Sequence, residues 1–325
     1  MCNPYACALS QEMLGYVQLL EYAGKSVGGY KTTFRSLDAY LTKNNIREKA
    51  LDEQLVTAYL RTLTCKPQTK NLRIGHLRQL ARYLVALEIP AYEPEYVRAS
   101  SDFVAYTFTD EEFAAIVKAA DNFVTIKHDD SSAPYMFPVL LRILYGCGLR
   151  VGEALRLCWN DIEFDRHIII IREAKNYKQR LVPMQRSLTD VLRLYRRRQL
   201  ADSPNSELLF ESDRKHGEPY LSCTFRDWFL KLLEHVGIAI HRKAPSDRSI
   251  SPHTVRHYFT IKSFLKSEEE GRSLEETAPY LSAILGHESF FGTEKYLTND
   301  YTVYESSQKR MNESIGGLFP EVVFE

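Results

Sequence analysis

The chain of 325 residues lacks the features that most directly betray a membrane, a metal or a cofactor. No run is long and apolar enough to span a bilayer, which argues against a membrane partner. The N-terminal "MCNPYACALSQEM" has no basic region followed by an apolar run, so no signal peptide is read there. Six cysteines are scattered and none forms a Cys-x-x-Cys pair, which leaves no zinc ribbon or disulfide framework and makes the cytoplasm the expected compartment. There is no P-loop and no His-Glu-x-x-His, and no cofactor or metal is expected. The glycines of "GCGLRVG" are spaced wrongly for a dinucleotide fingerprint, and the segment before them has a helical pattern. Excess charge is lacking too, since 42 basic residues balance 42 acidic ones.

One local absence matters more. Residues 54–87 contain no Asp or Glu, yet carry Arg61, Lys66, Lys70, Arg73, Arg78 and Arg82. A second basic group, "RLYRRRQL", begins at Arg193, while acidic residues gather in "SEEEGRSLEE" from Ser267. Local sign, not net charge, decides where a polyanion can sit. A solvated helix face accounts for such runs better than a polyanion site when each is taken alone.

The length suggests two domains. Residues 1–90 carry helical periodicity, with inward positions at Met13, Leu14, Val17 and Leu20, then Val27, Tyr30, Phe34, Leu37 and Leu41. Leu55, Tyr59 and Leu63 follow an Asp52 cap, and Leu72, Leu77, Leu80, Leu84 and Leu87 precede a stop at Pro90. Residues 91–107 read as a linker, with small polar residues and no clean period. A second domain, 108–325, opens on a capping box, Thr109 with Glu112. It is helical except where "HIIII" and "RLVPM" flank the basic turn "AKNYKQ" and predict a hairpin. The fold class expected is mainly α with a small β-hairpin or sheet, that is, α+β.

Four places bring together groups suited to a phosphate. Arg150 sits where a Gly-bearing bend enters a helix, three residues before Glu153, with which it could instead pair for structure. His253 and Arg256, three apart in "HTVRHY", share a helix face. His253 and His257 have helical ligand spacing but no carboxylate beside them, so a metal site does not follow. Lys175 and Lys178 occupy the hairpin tip, and His287 and Tyr296 lie in "ILGHESFFGTEKYLTND".

In order, "GLRVGEAL", a lysine hairpin followed by "RLVP", "SPHTVRH", "LGH" and a tyrosine resemble the tyrosine recombinase (phage integrase) family. The resemblance spans roughly Thr109 to Tyr301, and the N-terminal helices look like that family's core-binding (SAM-like) DNA-binding domain. It implies a catalytic set of Arg150, Lys175, His253, Arg256, His287 and Tyr296. Glu153 is then a buried partner that orients an arginine. Lys175 is favoured over Lys178, and Tyr296 over Tyr301 and Tyr304. The segment between Arg256 and His287 is longer than in compact Xer-type members, and the stretch around Tyr296 looks more like recombinases of transposons and conjugative elements.

The resemblance further implies a site-specific recombinase that cuts and rejoins double-stranded DNA at an inverted-repeat core site. It implies a 3′-phosphotyrosine intermediate and a Holliday junction. Expected partners are DNA and a homo-tetramer formed on it, with related recombinase subunits as possible company, in a bacterial cytoplasm near the nucleoid. DNA contacts fall to Lys66, Lys70, Arg73, Arg78 and Arg82. The tail, with Leu318, Phe319, Val322, Val323 and Phe324, could dock on a neighbouring subunit or on its own. A type IB topoisomerase-like relaxing enzyme and a non-cutting DNA-binding partner of the same fold are the alternatives.

Overall fold

A computed structural model describes residues 3–99, 106–122, 133–172, 179–202, 205–238 and 250–286. Two compact units divide between residues 103 and 104.

The first unit packs α1 (Ser10–Tyr22), α2 (Gly28–Lys43), α3 (Glu53–Thr62) and α4 (Pro67–Ala86) around one core. Asp52 caps α3 by accepting from the Leu55 amide at 2.8 Å, and Pro67 opens α4 where no helical N–H is needed. Met13, Val17, Leu20, Phe34, Leu37, Leu41, Tyr59, Leu77, Leu80 and Leu84 fill the core as their spacing predicts. Each such leucine contributes about 1.5–3 kcal/mol through burial. Two expectations on α4 fail. Leu72 is 60% exposed and Ile74 is buried in its place, because Leu72 lies five residues before Leu77 and so points to another side of the helix. Leu87 lies past the last helical residue and is 47% exposed. On α3, Val56 is buried with Tyr59, while Leu55 and Leu63 pack at the edge.

The segment after α4 runs back along the helices. Leu51 and Ala91 form a parallel bridge, with Leu51 N donating to Pro90 O and Tyr92 N to Leu51 O. The Asn71 side chain donates to Val97 O and accepts from Val97 N, both at 2.8 Å.

The second unit contains α5 (Asp110–Asp121), α6 (Ala133–Cys147), α7 (Val151–Leu155), β1 (Ile162–Glu163), β2 (Ile168–Ile171) and β3 (Arg180–Pro183). It continues with α8 (Arg186–Asp202), β4 (Glu211–Ser212), β5 (Lys215–Pro219), α9 (Ser222–His235), α10 (Pro252–Glu269) and α11 (Leu274–Leu285). Helix α6 is apolar nearly all round and lies in the middle of the core, with Met136, Phe137, Leu140, Leu141, Ile143 and Leu144 buried. The expected hairpin is present as β2 and β3, antiparallel, with Ile169 opposite Val182 and Ile171 opposite Arg180. Strand β1 extends it to three strands, and β4 with β5 forms a second small sheet that the sequence pattern did not reveal. The Thr109–Glu112 capping box forms at the start of α5. The fold is mainly α with small antiparallel sheets.

Candidate active site

Three arginines converge on the carboxyl end of α11. That end is prepared by Gly286, which takes the left-handed conformation (φ 63°) that ends the helix and leaves its last carbonyls without intrahelical partners. Arg180 Nε donates to Ile284 O at 2.8 Å, Arg256 Nη2 to Leu285 O at 2.6 Å, and Arg150 Nη2 to Gly286 O at 3.4 Å. Three successive carbonyls thus receive three guanidinium groups from three different elements. The next residue in the sequence is His287.

Each arginine is delivered by local chemistry. Arg150 is the N-cap of α7, set one residue after Leu149 and two after Gly148. Gly148 has φ 60°, and a Cβ there would lie 2.4 Å from the Phe259 ring. Only glycine permits that turn so close to α10. Arg256 comes from α10, which is capped by Ser251 and opens on Pro252. It is only 1% exposed, and its Nη1 donates to Gly148 O at 2.8 Å. The same guanidinium therefore ties the bend before Arg150 to the end of α11. His253, three residues earlier on α10, is exposed.

Glu153 is the buried carboxylate at the centre of this cluster. It accepts the Arg150 backbone N–H at 3.0 Å and Arg150 Nη1 at 2.7 Å. Arg180 reaches the same carboxylate with two nitrogens, Nη2 at 2.7 Å and Nη1 at 3.2 Å. Burial alone would push this carboxyl up. The Arg180 bonds, the Arg150 backbone bond, the Arg180 charge and the Arg150 side-chain bond outweigh it and hold the carboxyl at about 2. One carboxylate serves two guanidinium groups, so one positive charge of that pair is left over. Arg256 brings a third guanidinium to the same helix end through its two carbonyl bonds. Such a site suits an anion with several acceptor oxygens.

The family resemblance placed Arg150, Glu153, His253 and Arg256 at this site, and the fold brings Arg150, Glu153 and Arg256 together at the end of α11. Lys175, Lys178, His287, Tyr296, the "ESFFGTE" turn and the C-terminal tail lie outside the described residues. Arg180 was missed. A signal was available, since it stands two residues before the buried Val182 on a strand and so shares its inward face.

The basic run of the first unit divides into two groups on α4. Lys66, Lys70 and Arg73, at four- and three-residue spacing, share one face. Arg78 and Arg82 lie about a third of a turn round the helix. Arg78 donates to Pro94 O at 2.8 Å and covers the Tyr96 ring, and both Arg78 and Arg82 pair with Glu93 at 3.0 Å. In the second basic group, Arg193 and Arg196 lie over Phe164, and Arg196 also over Trp159. Among the described residues no helix is long and apolar enough to cross a membrane.

Residues 107–302 match the phage integrase family. The chain is 29% identical over 251 residues to the integrase/recombinase-type protein y4rB of Sinorhizobium fredii, a match covering 74% of this chain and 76% of that one. It is 21% identical over 308 residues to the tyrosine recombinase XerC of Pediococcus pentosaceus, covering 92% and 93% of the two chains. Among solved structures it resembles the integrase of the Tn1549 transposon in complex with transposon right-end DNA. There the TM-score is 0.63 at 15% identity, with 92% of this chain and 99% of that one covered, a likeness of fold. The arginine cluster and these matches together give the identification: the chain belongs to the phage integrase family and is a tyrosine recombinase, an enzyme of site-specific DNA recombination.

Proposed function

We propose that this recombinase cuts and rejoins DNA through a 3′-phosphotyrosine intermediate, with Tyr296 as nucleophile. The observation that carries the reading is the surplus of guanidinium groups around Glu153, where Arg150 and Arg256 are tied to adjacent carbonyls of one helix end. A phosphodiester under attack gains charge on its non-bridging oxygens, and two forked cations stabilise that charge. The Tyr296 oxygen forms a bond to phosphorus as the bond from phosphorus to the 5′ oxygen breaks. His253, exposed at the start of α10, accepts the phenolic proton. Lys175 gives a proton to the departing 5′ oxygen, and His287 donates a hydrogen bond to the phosphate. The 5′ hydroxyl of the partner strand then attacks the phosphotyrosine and releases the enzyme. Bond energy is conserved, and the steps use side chains alone.

The relatives support a biological setting. Similarity to the Tn1549 transposon integrase and to the y4rB protein favours an integrase or transposase of a mobile element. Its substrate is then duplex DNA with an inverted-repeat core site, held by a tetramer, with a Holliday junction between the two exchanges. Lys66, Lys70 and Arg73 on one face of α4 supply phosphate contacts from the first unit. The work is done in the cytoplasm on nucleoid DNA. Incubation of two differently labelled duplexes carrying the ends of the encoding element tests the reading. Recombinant duplexes and a four-way junction support it, whereas relaxation of supercoils with no exchange overturns it. Lys175→Ala should block cleavage far more than Lys178→Ala, and equal effects would overturn that assignment.

A further inference from the structure

Arg180 is a charged side chain on an inward strand position, 9% exposed, beside Val182 in the same strand. An apolar residue would fill such a position at lower cost in desolvation. Each nitrogen of the guanidinium donates to one of two other elements. Its Nε meets Ile284 O at the end of α11, and its two Nη atoms fork onto both oxygens of Glu153 on α7. It also lies against Gly286, where a Cβ would come within 2.9 Å of Nη1. Strand β3, on which it sits, is the returning arm of the hairpin that carries Lys175 in sequence.

We propose that Arg180 is a positioning residue for strand cleavage: its fork fixes Glu153, and through Glu153 the phosphate-binding Arg150, against the carboxyl end of α11. The inference rests on the reading of Arg150 as a phosphate ligand. Two physical consequences follow from the geometry. First, a carboxylate held at both oxygens cannot rotate, so Arg150 Nη1 is held at one angle to α11. Second, a carboxylate shared between two guanidinium groups neutralises only part of each. Without Arg180, Glu153 and Arg150 would form a closed pair with no net charge, and Arg150 would be a weaker ligand for an anion. Arg180 touches no substrate atom in this scheme. It makes Arg150 both better aimed and more positive.

The test uses the full chain and a nicked suicide duplex carrying the end of the encoding element. Wild type, Arg180→Met, Glu153→Gln and the double variant are compared for DNA affinity and for the rate of covalent adduct formation at saturating protein. Circular dichroism confirms the folded fraction of each. Arg180→Met is expected to bind DNA within about threefold of wild type and to form adduct about 30-fold more slowly, the scale of a small misplacement of a reacting group. If Arg180 acts through Glu153, the double variant forms adduct within about threefold of Glu153→Gln alone. Losses that multiply, or an Arg180→Met rate within about threefold of wild type, overturn the proposal. Should Arg180→Met fail to fold, Arg180→Lys replaces it. This variant keeps the charge without the fork, and a wild-type rate from it overturns the proposal equally. Wild type that binds the duplex but forms no adduct overturns the phosphotyrosine reading itself, a different failure from a variant that matches wild type.

Discussion

The arginines of α4 and the arginines at the end of α11 have the same side chain and opposite circumstances. On α4 they stand on a helix surface, and Arg78 and Arg82 are matched by Glu93 on the segment that follows. At the end of α11, Arg256 is buried and Arg180 nearly so, both are fixed to carbonyls, and Arg180 and Arg150 share a single carboxylate. The first arrangement is adjustable and screened by salt. The second is rigid and expensive, and a protein keeps such a cluster where charge must be presented in one geometry. Proximity in sequence marks the first group. Distance in sequence conceals the second.

Substitutions at the buried cluster should have the largest effects. Arg256→Ala is expected to lower cleavage by at least about 100-fold, as loss of a preorganised transition-state donor does. It also leaves Gly148 O and Leu285 O short of a partner, at a cost of about 1–3 kcal/mol each. Adduct formation on a suicide duplex and thermal unfolding read the two effects separately. Glu153→Gln leaves two guanidinium groups without their counter-charge and should destabilise the unit by about 3–5 kcal/mol, read by denaturant unfolding.

The same carboxylate gives a pH signature. Its folded value of about 2 lies below its ordinary 4.5, so its contribution to stability is full above 4.5 and is lost as pH falls from there toward 2. Wild type should lose stability across that window, and Glu153→Gln should show a shallower loss. Next in size, Gly148→Ala should cost about 1–3 kcal/mol, since it combines a left-handed backbone with a clash against Phe259. Its Tm should fall without change in the DNA salt dependence.

The surface of the first unit should give the smallest effects and a different kind. Lys66→Ala, Lys70→Ala and Arg73→Ala should each weaken DNA binding modestly and reduce the slope of log affinity against log salt by about one. Arg78→Ala should instead loosen the segment carrying Glu93 and Pro94, with little change in slope. Equal slopes from both groups would erase the contrast between the two faces of α4.

Much of this was legible in the sequence because it was local. Helix faces such as Phe34, Leu37 and Leu41 follow from spacing, and the Thr109–Glu112 and Asp52 caps from residue type. "HIIII" and "RLVP" identified the hairpin because β-branched runs and a turn are short-range signals. Leu72 is exposed because of the angle it takes on α4 and Leu87 because it lies past the helix end, and hydrophobicity alone carries neither. The inward register of Arg180 beside Val182 is readable from the strand, but its partners, Glu153 and Ile284 O, are distant in sequence and no local pattern names them. Arg150 and Glu153 stood out because their contact is within one helical turn. The tie from Arg256 to Gly148 O and Leu285 O belongs to the tertiary fold, and no pattern of spacing contains it.

The central claim is that the arginine cluster serves a phosphate attacked by Tyr296. Peptide mapping of the adduct formed on a nicked suicide duplex tests it most directly. The account predicts an SDS-stable protein–DNA species from wild type, with the nucleotide attached through a 3′ phosphate to Tyr296, and none from Tyr296→Phe. An adduct that persists in Tyr296→Phe, or that maps to Tyr301 or Tyr304, would contradict it.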